Sequence, residues 1–125
     1  MDTLLGLRAE IERVVGADDT AEALGSGDVA VLATPRLIAW LEAATMAALD
    51  GHLSASITTV GTSVAMRHRA PSAIGDLVIL RAQLVRHEGR QVEFAVEAES
   101  SAGTRLAEGR VTRAIVERAR FLGGL

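Results

Sequence analysis

The chain has 125 residues, 49% of them apolar, with a formal net charge of −3 and no cysteine. That length suits a single domain, residues 1–125, with a real core. The missing cysteines exclude a disulfide framework, a thiolate nucleophile and Cys-ligated zinc, and the acidic balance with 2% aromatics lacks the basic, aromatic-interleaved stripe of a nucleic-acid binder. All 13 basic residues are arginine, which reads as codon bias. Charges at Arg8, Glu10, Glu12, Arg13, Asp18 and Asp19 interrupt any signal-peptide core. No apolar run approaches the roughly 18–20 residues of a membrane span. A cytoplasmic protein without membrane attachment is expected.

In chain order, Leu7–Val15 fits two patterns. Leu7, Ala9, Ile11 and Val15 alternate as a strand does, while Leu4, Leu7, Ile11 and Val14 fit a helix. Asp19-Thr20 can cap a short helical turn, and Gly25-Ser26-Gly27 is a loop. Thr34-Pro35 marks a helix start, with Thr34 as N-cap and proline at the first helical position. The stripe Leu37, Ile38, Leu41, Ala44, Thr45 and Ala48 has helical spacing, and Gly51 supplies a stop. Four strands follow. Thr58–Arg69 carries Val60, Val64 and Met66 on one face, and Asp76–Glu88 carries Val78, Leu80, Ala82 and Leu84. Gln91–Ser100 alternates Val92, Phe94, Val96 and Ala98 against polar residues, and Thr104–Arg118 closes the set. Glu88-Gly89-Arg90 and Ser101-Ala102-Gly103 are hairpin turns. One small-residue helix and four long antiparallel strands give an α+β fold in which the sheet wraps the helix. A sheet edge and a sheet face left open lead us to expect a homodimer or higher homo-oligomer.

Three polar positions could carry chemistry. Glu42 stands among Trp40, Leu41, Ala43 and Ala44; it is either part of a solvated helix face or a buried acid with a raised pKa. His68 ends the face begun by Val64 and Met66 and is either a structural or a catalytic histidine. Thr34 caps the helix, and a helix start also stabilises developing negative charge. His52 and His87 fall in loops or turns and receive no role. Three scattered histidines show no metal-ligand spacing, and no phosphate or dinucleotide fingerprint is present. No metal or cofactor is expected.

Val31-Leu32-Ala33-Thr34-Pro35, Glu42, Thr59-Val60-Gly61-Thr62 and His68 together resemble the fluoroacetyl-CoA thioesterase-like proteins of the hotdog fold. Glu88-Gly89-Arg90, Phe94-Ala95-Val96, Glu108-Gly109-Arg110 through Arg113, and Arg120-Phe121 continue the pattern. The resemblance runs from about Val29 to Leu122 and rests on order and spacing. It implies a hotdog domain that hydrolyses an acyl-CoA thioester to a free acid and coenzyme A. It also implies a catalytic set of Thr34, Glu42 and His68, with Gly61 and Arg113 on the substrate. Glu42 would act as nucleophile or as general base for water, His68 would orient or protonate, and Thr34 would position the carbonyl. The N-terminal region lacks the family's aromatic-rich cover, and Arg110-Val111-Thr112-Arg113 lacks the polar pair that often precedes that arginine. Selectivity for the fluorinated substrate is therefore not expected. The alternative readings are a non-catalytic acyl-CoA or acyl-carrier binding protein and a purely structural dimerisation domain. Helix geometry adds a constraint. Thr34 and Glu42 are separated by roughly 12 Å along a regular helix and by about 80° around it. If both act on one carbonyl, either the first turn is irregular or they come from different subunits; different subunits are expected.

Overall fold

The computed structural model describes residues 4–125. Strand β1 (Arg8–Val14) leads through a 3₁₀ turn (Ala17–Asp19) and a short helix α1 (Ala21–Leu24) to the long helix α2 (Thr34–Leu49). Strands β2 (Ile57–His68), β3 (Leu77–Glu88), β4 (Gln91–Ser100) and β5 (Arg105–Glu117) follow, and helix α3 (Arg118–Gly123) ends the chain. The ambiguous Leu7–Val15 segment is a strand. Thr20 caps α1, its Oγ1 accepting from Ala23 N at 3.1 Å.

All five strands lie in one antiparallel sheet in the order β1-β3-β4-β5-β2. The turns at Gly89 and Gly103 hold φ of 58° and 90°, values a side chain would strain. Helix α2 lies across the concave face, mainly over β1 and β3. It buries Leu37, Trp40, Leu41, Ala44, Thr45, Ala48 and Leu49. Facing them are Val78, Leu80, Ala82 and Leu84 of β3 and Val92, Phe94, Val96 and Ala98 of β4, each buried. Alanines at 44, 48, 82 and 98 bring helix and sheet close together. Full burial of each larger aliphatic side chain contributes about 1.5–3 kcal/mol. The opposite face of the sheet is polar. There Arg81 bridges Glu10, Glu97 and Glu99 at 2.8–3.1 Å, partly exposed pairs that add little stability.

Two local expectations are corrected. Thr34 is not the N-cap. Ala33 is, with an extended backbone and a carbonyl that accepts from Leu37 N at 3.0 Å, so Thr34 is the first helical residue. The second correction concerns β2, where Val60 does not share a face with Val64 and Met66. The pairing of β2 with β5 shifts register between Gly61 and Ser63, so Thr62 is an inserted bulge residue. An inserted residue inverts the alternation on either side of it. Thr59 and Gly61 therefore face the helix before the bulge, and Val64, Met66 and His68 face it after.

Candidate active site

The strand-edge bulge lets both halves of β2 present polar groups to the helix side. Two clusters result, one at each end of the strand.

At the far end of β2, His68 Nδ1 and Thr34 Oγ1 are hydrogen-bonded at 2.8 Å. The segment before α2 is held against the segment after β2 by the Val31–Ala73 bridge and by Leu32 N donating to Ser72 O at 2.9 Å. This tie brings the start of the helix to the end of the strand. The hydroxyl of Thr34, which sequence assigns to capping, is thus directed at the imidazole. His68 is half-buried, and its Nε2 is buried with no hydrogen-bond partner. Burial lowers the His68 pKa from 6.5, and a backbone contact with Ala70 opposes that shift. Burial thus favours the neutral ring, which can hold its proton on either nitrogen. The pair opens onto a shallow depression of about 310 Å³ that includes Pro35, Arg69 and Pro71.

Near the other end, Glu42 projects from the middle of α2 toward β2 and β5. Its Oε2 accepts from Arg113 Nη1 at 3.3 Å. Glu42 is thus neither on a free solvated face nor fully buried; its side chain is 35% exposed. Arg113 occupies the apolar face of β5, in step with Val111 and Ile115, and is 7% exposed. Its Nε donates to Thr59 Oγ1 at 2.8 Å and its Nη2 to the Thr59 carbonyl at 3.1 Å. Gly61 pairs with Arg113 across the β2–β5 ladder. The Glu42 carboxylate fills the space over Gly61, where a Cβ would come within 2.4 Å of Oε2.

Of the five residues expected at the site, one chain thus brings Thr34 to His68 and, separately, Glu42 to Gly61 and Arg113. Sequence reasoning missed Thr59. A charged residue at a core-facing position of β5 signals that a buried acceptor is needed, but Thr59 is identified as that acceptor only once the bulge is known. Among the described residues no group of three or more His, Asp or Glu side chains is arranged to hold a metal ion, and no helix is long and apolar enough to cross a membrane.

A family model described as fluoroacetyl-CoA-specific thioesterase (FlK) matches residues 15–119. No curated protein matches the chain. Among solved structures, a Thermus thermophilus hypothetical protein of the thioesterase superfamily is 27% identical with a TM-score of 0.89, covering 98% of this chain and 91% of that one. The fluoroacetyl-CoA thioesterase FlK is 24% identical with a TM-score of 0.88, covering 96% and 93%. A mutant of it in complex with acetyl-CoA is 23% identical with a TM-score of 0.90, covering 96% and 94%. These likenesses show the hotdog fold.

Proposed function

We propose that this chain, which belongs to the fluoroacetyl-CoA-specific thioesterase family and is an acyl-CoA thioesterase, acts as a homodimer with two composite sites. Each site joins Thr34 and His68 of one protomer to Glu42, Gly61 and Arg113 of the other.

The observation that carries this reading is the separation of the two clusters along β2. Gly61 and His68 face the same side but lie about 20 Å apart at strand spacing, too far to act on one carbonyl. β2 is also an edge of the sheet, with backbone groups open to a further strand. A second copy pairing its β2 antiparallel to the first, with Ala65 opposite the partner's Ala65, sets Val64 opposite the partner's Met66. Allowing for the bulge at Thr62, the same register sets Gly61 opposite the partner's His68. Directly opposed residues of an antiparallel pair share a face. Val64, Met66, Gly61 and His68 all face the helix, so the register is self-consistent. Without the bulge, Gly61 and His68 would have opposite parity and could not be opposed in this way.

In such a site the Glu42 carboxylate attacks the thioester carbonyl or activates the water that does. Backbone N–H groups in the first turn of α2 stabilise the oxyanion. Thr34 Oγ1 fixes the orientation of His68, whose unpartnered Nε2 takes up a proton that originates from water and passes it to the departing sulfur. The carbon–sulfur bond breaks; water supplies the hydroxyl of the acid and, through the site, the proton of the thiol.

Thiol release from a panel of acyl-CoA substrates, followed with a chromogenic thiol reagent, tests the activity. Binding without release would instead favour a non-catalytic acyl-CoA or acyl-carrier binding protein. Mixing inactive Thr34→Ala and Glu42→Ala chains tests the composite site. One site of each heterodimer then contains both wild-type groups, so activity returns; verified heterodimers that stay inactive would overturn the arrangement.

A further inference from the structure

The resemblance places Arg113 on the substrate, but its surroundings argue for another task. Each of its three guanidinium nitrogens already faces a protein acceptor. Nε and Nη2 both attach to one residue, Thr59, through its hydroxyl at 2.8 Å and its carbonyl at 3.1 Å. Two attachments from one planar fork fix the plane of the guanidinium and leave Nη1 directed at Glu42 Oε2. The Thr59 hydroxyl is itself oriented, donating to Met46 Sδ at 3.4 Å, so its lone pairs turn toward Arg113. Thr59 is 4% exposed and is not available to a substrate.

We propose that Thr59 and Arg113 form a buried clamp that positions the Glu42 carboxylate, making both positioning residues. The inference rests on the assignment of Glu42 to catalysis. Glu42 has three rotatable side-chain bonds and sits on a partly open helix face. Anchoring one of its oxygens to a fixed cation leaves the other to face the carbonyl or water. A displacement of about 1 Å in such a group can cost on the order of 100-fold in rate. Burial makes the clamp stringent, because removal of the Thr59 hydroxyl leaves a buried N–H without its acceptor.

The test compares Thr59→Val, which keeps the volume and removes the acceptor, with Thr59→Ser, which retains it. Thiol release is measured under saturating and limiting acyl-CoA, and folding is checked by thermal unfolding. The expected result for Thr59→Val is a fall in kcat of about 10- to 100-fold with KM within about twofold, reversed in Thr59→Ser. In a Glu42→Ala background, Thr59→Val causes no further loss, because no carboxylate remains to position. Unchanged kcat in a folded Thr59→Val would overturn the clamp. So would a raised KM with unchanged kcat, which would return Arg113 to substrate binding. If Thr59→Val does not fold, Arg113→Lys replaces it: a lysine reaches Glu42 as a point charge without the two-point hold on Thr59. The same split is expected, a fall in kcat without a rise in KM. Glu42→Ala with near-normal turnover would overturn the assignment of Glu42, whereas an inactive Glu42→Ala beside an intact Thr59→Val overturns the clamp alone.

Discussion

Glu42 and Gly61 occupy one another's space: the carboxylate of the first lies where a side chain on the second would be. Gly61 is not among the positive-φ glycines, so its backbone accepts alanine. The atom that must give way is the end of a flexible side chain. Gly61→Ala should therefore separate stability from activity. The unfolding midpoint is expected to stay level or rise, because alanine restricts the unfolded chain by about 0.4–1 kcal/mol. Turnover is expected to fall by about 10- to 100-fold as the carboxylate is displaced. Thermal unfolding and thiol release on the same preparation check both; an active Gly61→Ala enzyme would mean that the carboxylate position seen here is not the working one.

The imidazole of His68 should report on the partner subunit. Burial lowers its pKa from 6.5 within one chain. The proposed dimer adds the partner's Glu42, whose negative charge favours the protonated ring and acts in the opposite direction. Glu42→Gln removes that charge, so His68 should titrate lower in the variant than in the wild type. In the variant the folded-state value lies below the unfolded one. The contribution of His68 to stability is then complete above pH 6.5 and is lost as pH falls from there through the folded-state pKa. Histidine ring proton shifts followed from pH 4 to 8 in both proteins give the comparison. Identical His68 titrations in the two proteins would place the carboxylate far from the ring.

The parts of the fold that were legible in the sequence are those with one wet and one dry face. β3 and β4 are interior strands, and their alternation is regular because one face meets α2 and the other meets solvent. α2 is marked by Pro35 and by its apolar stripe. β1 was ambiguous because it is an edge strand with only partial burial, so its alternation is weak. The bulge in β2 was not legible. Gly61, Thr62 and Ser63 are small and exposed and carry no hydrophobic parity, so simple alternation puts Val60 on the face of Val64 and Met66. The site residues followed from the resemblance, but their pairing did not. Thr34 with His68 and Glu42 with Arg113 are contacts over 34 and 71 residues, set by tertiary packing that no local pattern encodes.

Substrate preference follows from what lines the fold. The aromatic residues are Trp40, Phe94 and Phe121. Phe94 and Trp40 are buried in the core, and Phe121 lies in α3. The segment from Leu4 to Ala33 contributes no aromatic cover. Ordinary short or medium acyl-CoA substrates should be hydrolysed without strong preference for fluoroacetyl-CoA. Measured kcat/KM values for acetyl-, butyryl-, hexanoyl- and fluoroacetyl-CoA decide this. A large advantage for the fluorinated substrate would show that selectivity does not need an aromatic cover segment.

The proposed register of the dimer makes a covalent prediction. Pairing Ala65 with the partner's Ala65 puts the two-fold axis at that residue, on the outward face of the sheet where Ala65 is exposed. Directly opposed Cβ atoms in an antiparallel pair are about 4.5–5.5 Å apart. A disulfide needs about 3.5–4.5 Å, reachable with a small adjustment of the edge strands. The chain has no cysteine, so Ala65→Cys introduces the only thiol, and any disulfide formed must join two chains. Mild oxidation should convert Ala65→Cys to a covalent dimer at micromolar protein. Arg67→Cys, also outward but two residues from the axis, should crosslink much less, because its counterpart lies four residues away across the ladder. The crosslinked Ala65→Cys dimer should retain thioesterase activity, since the outward face is remote from both clusters. Efficient crosslinking at position 67 with little at 65 would shift the axis and separate Gly61 from the partner's His68, and with that the composite site would fail.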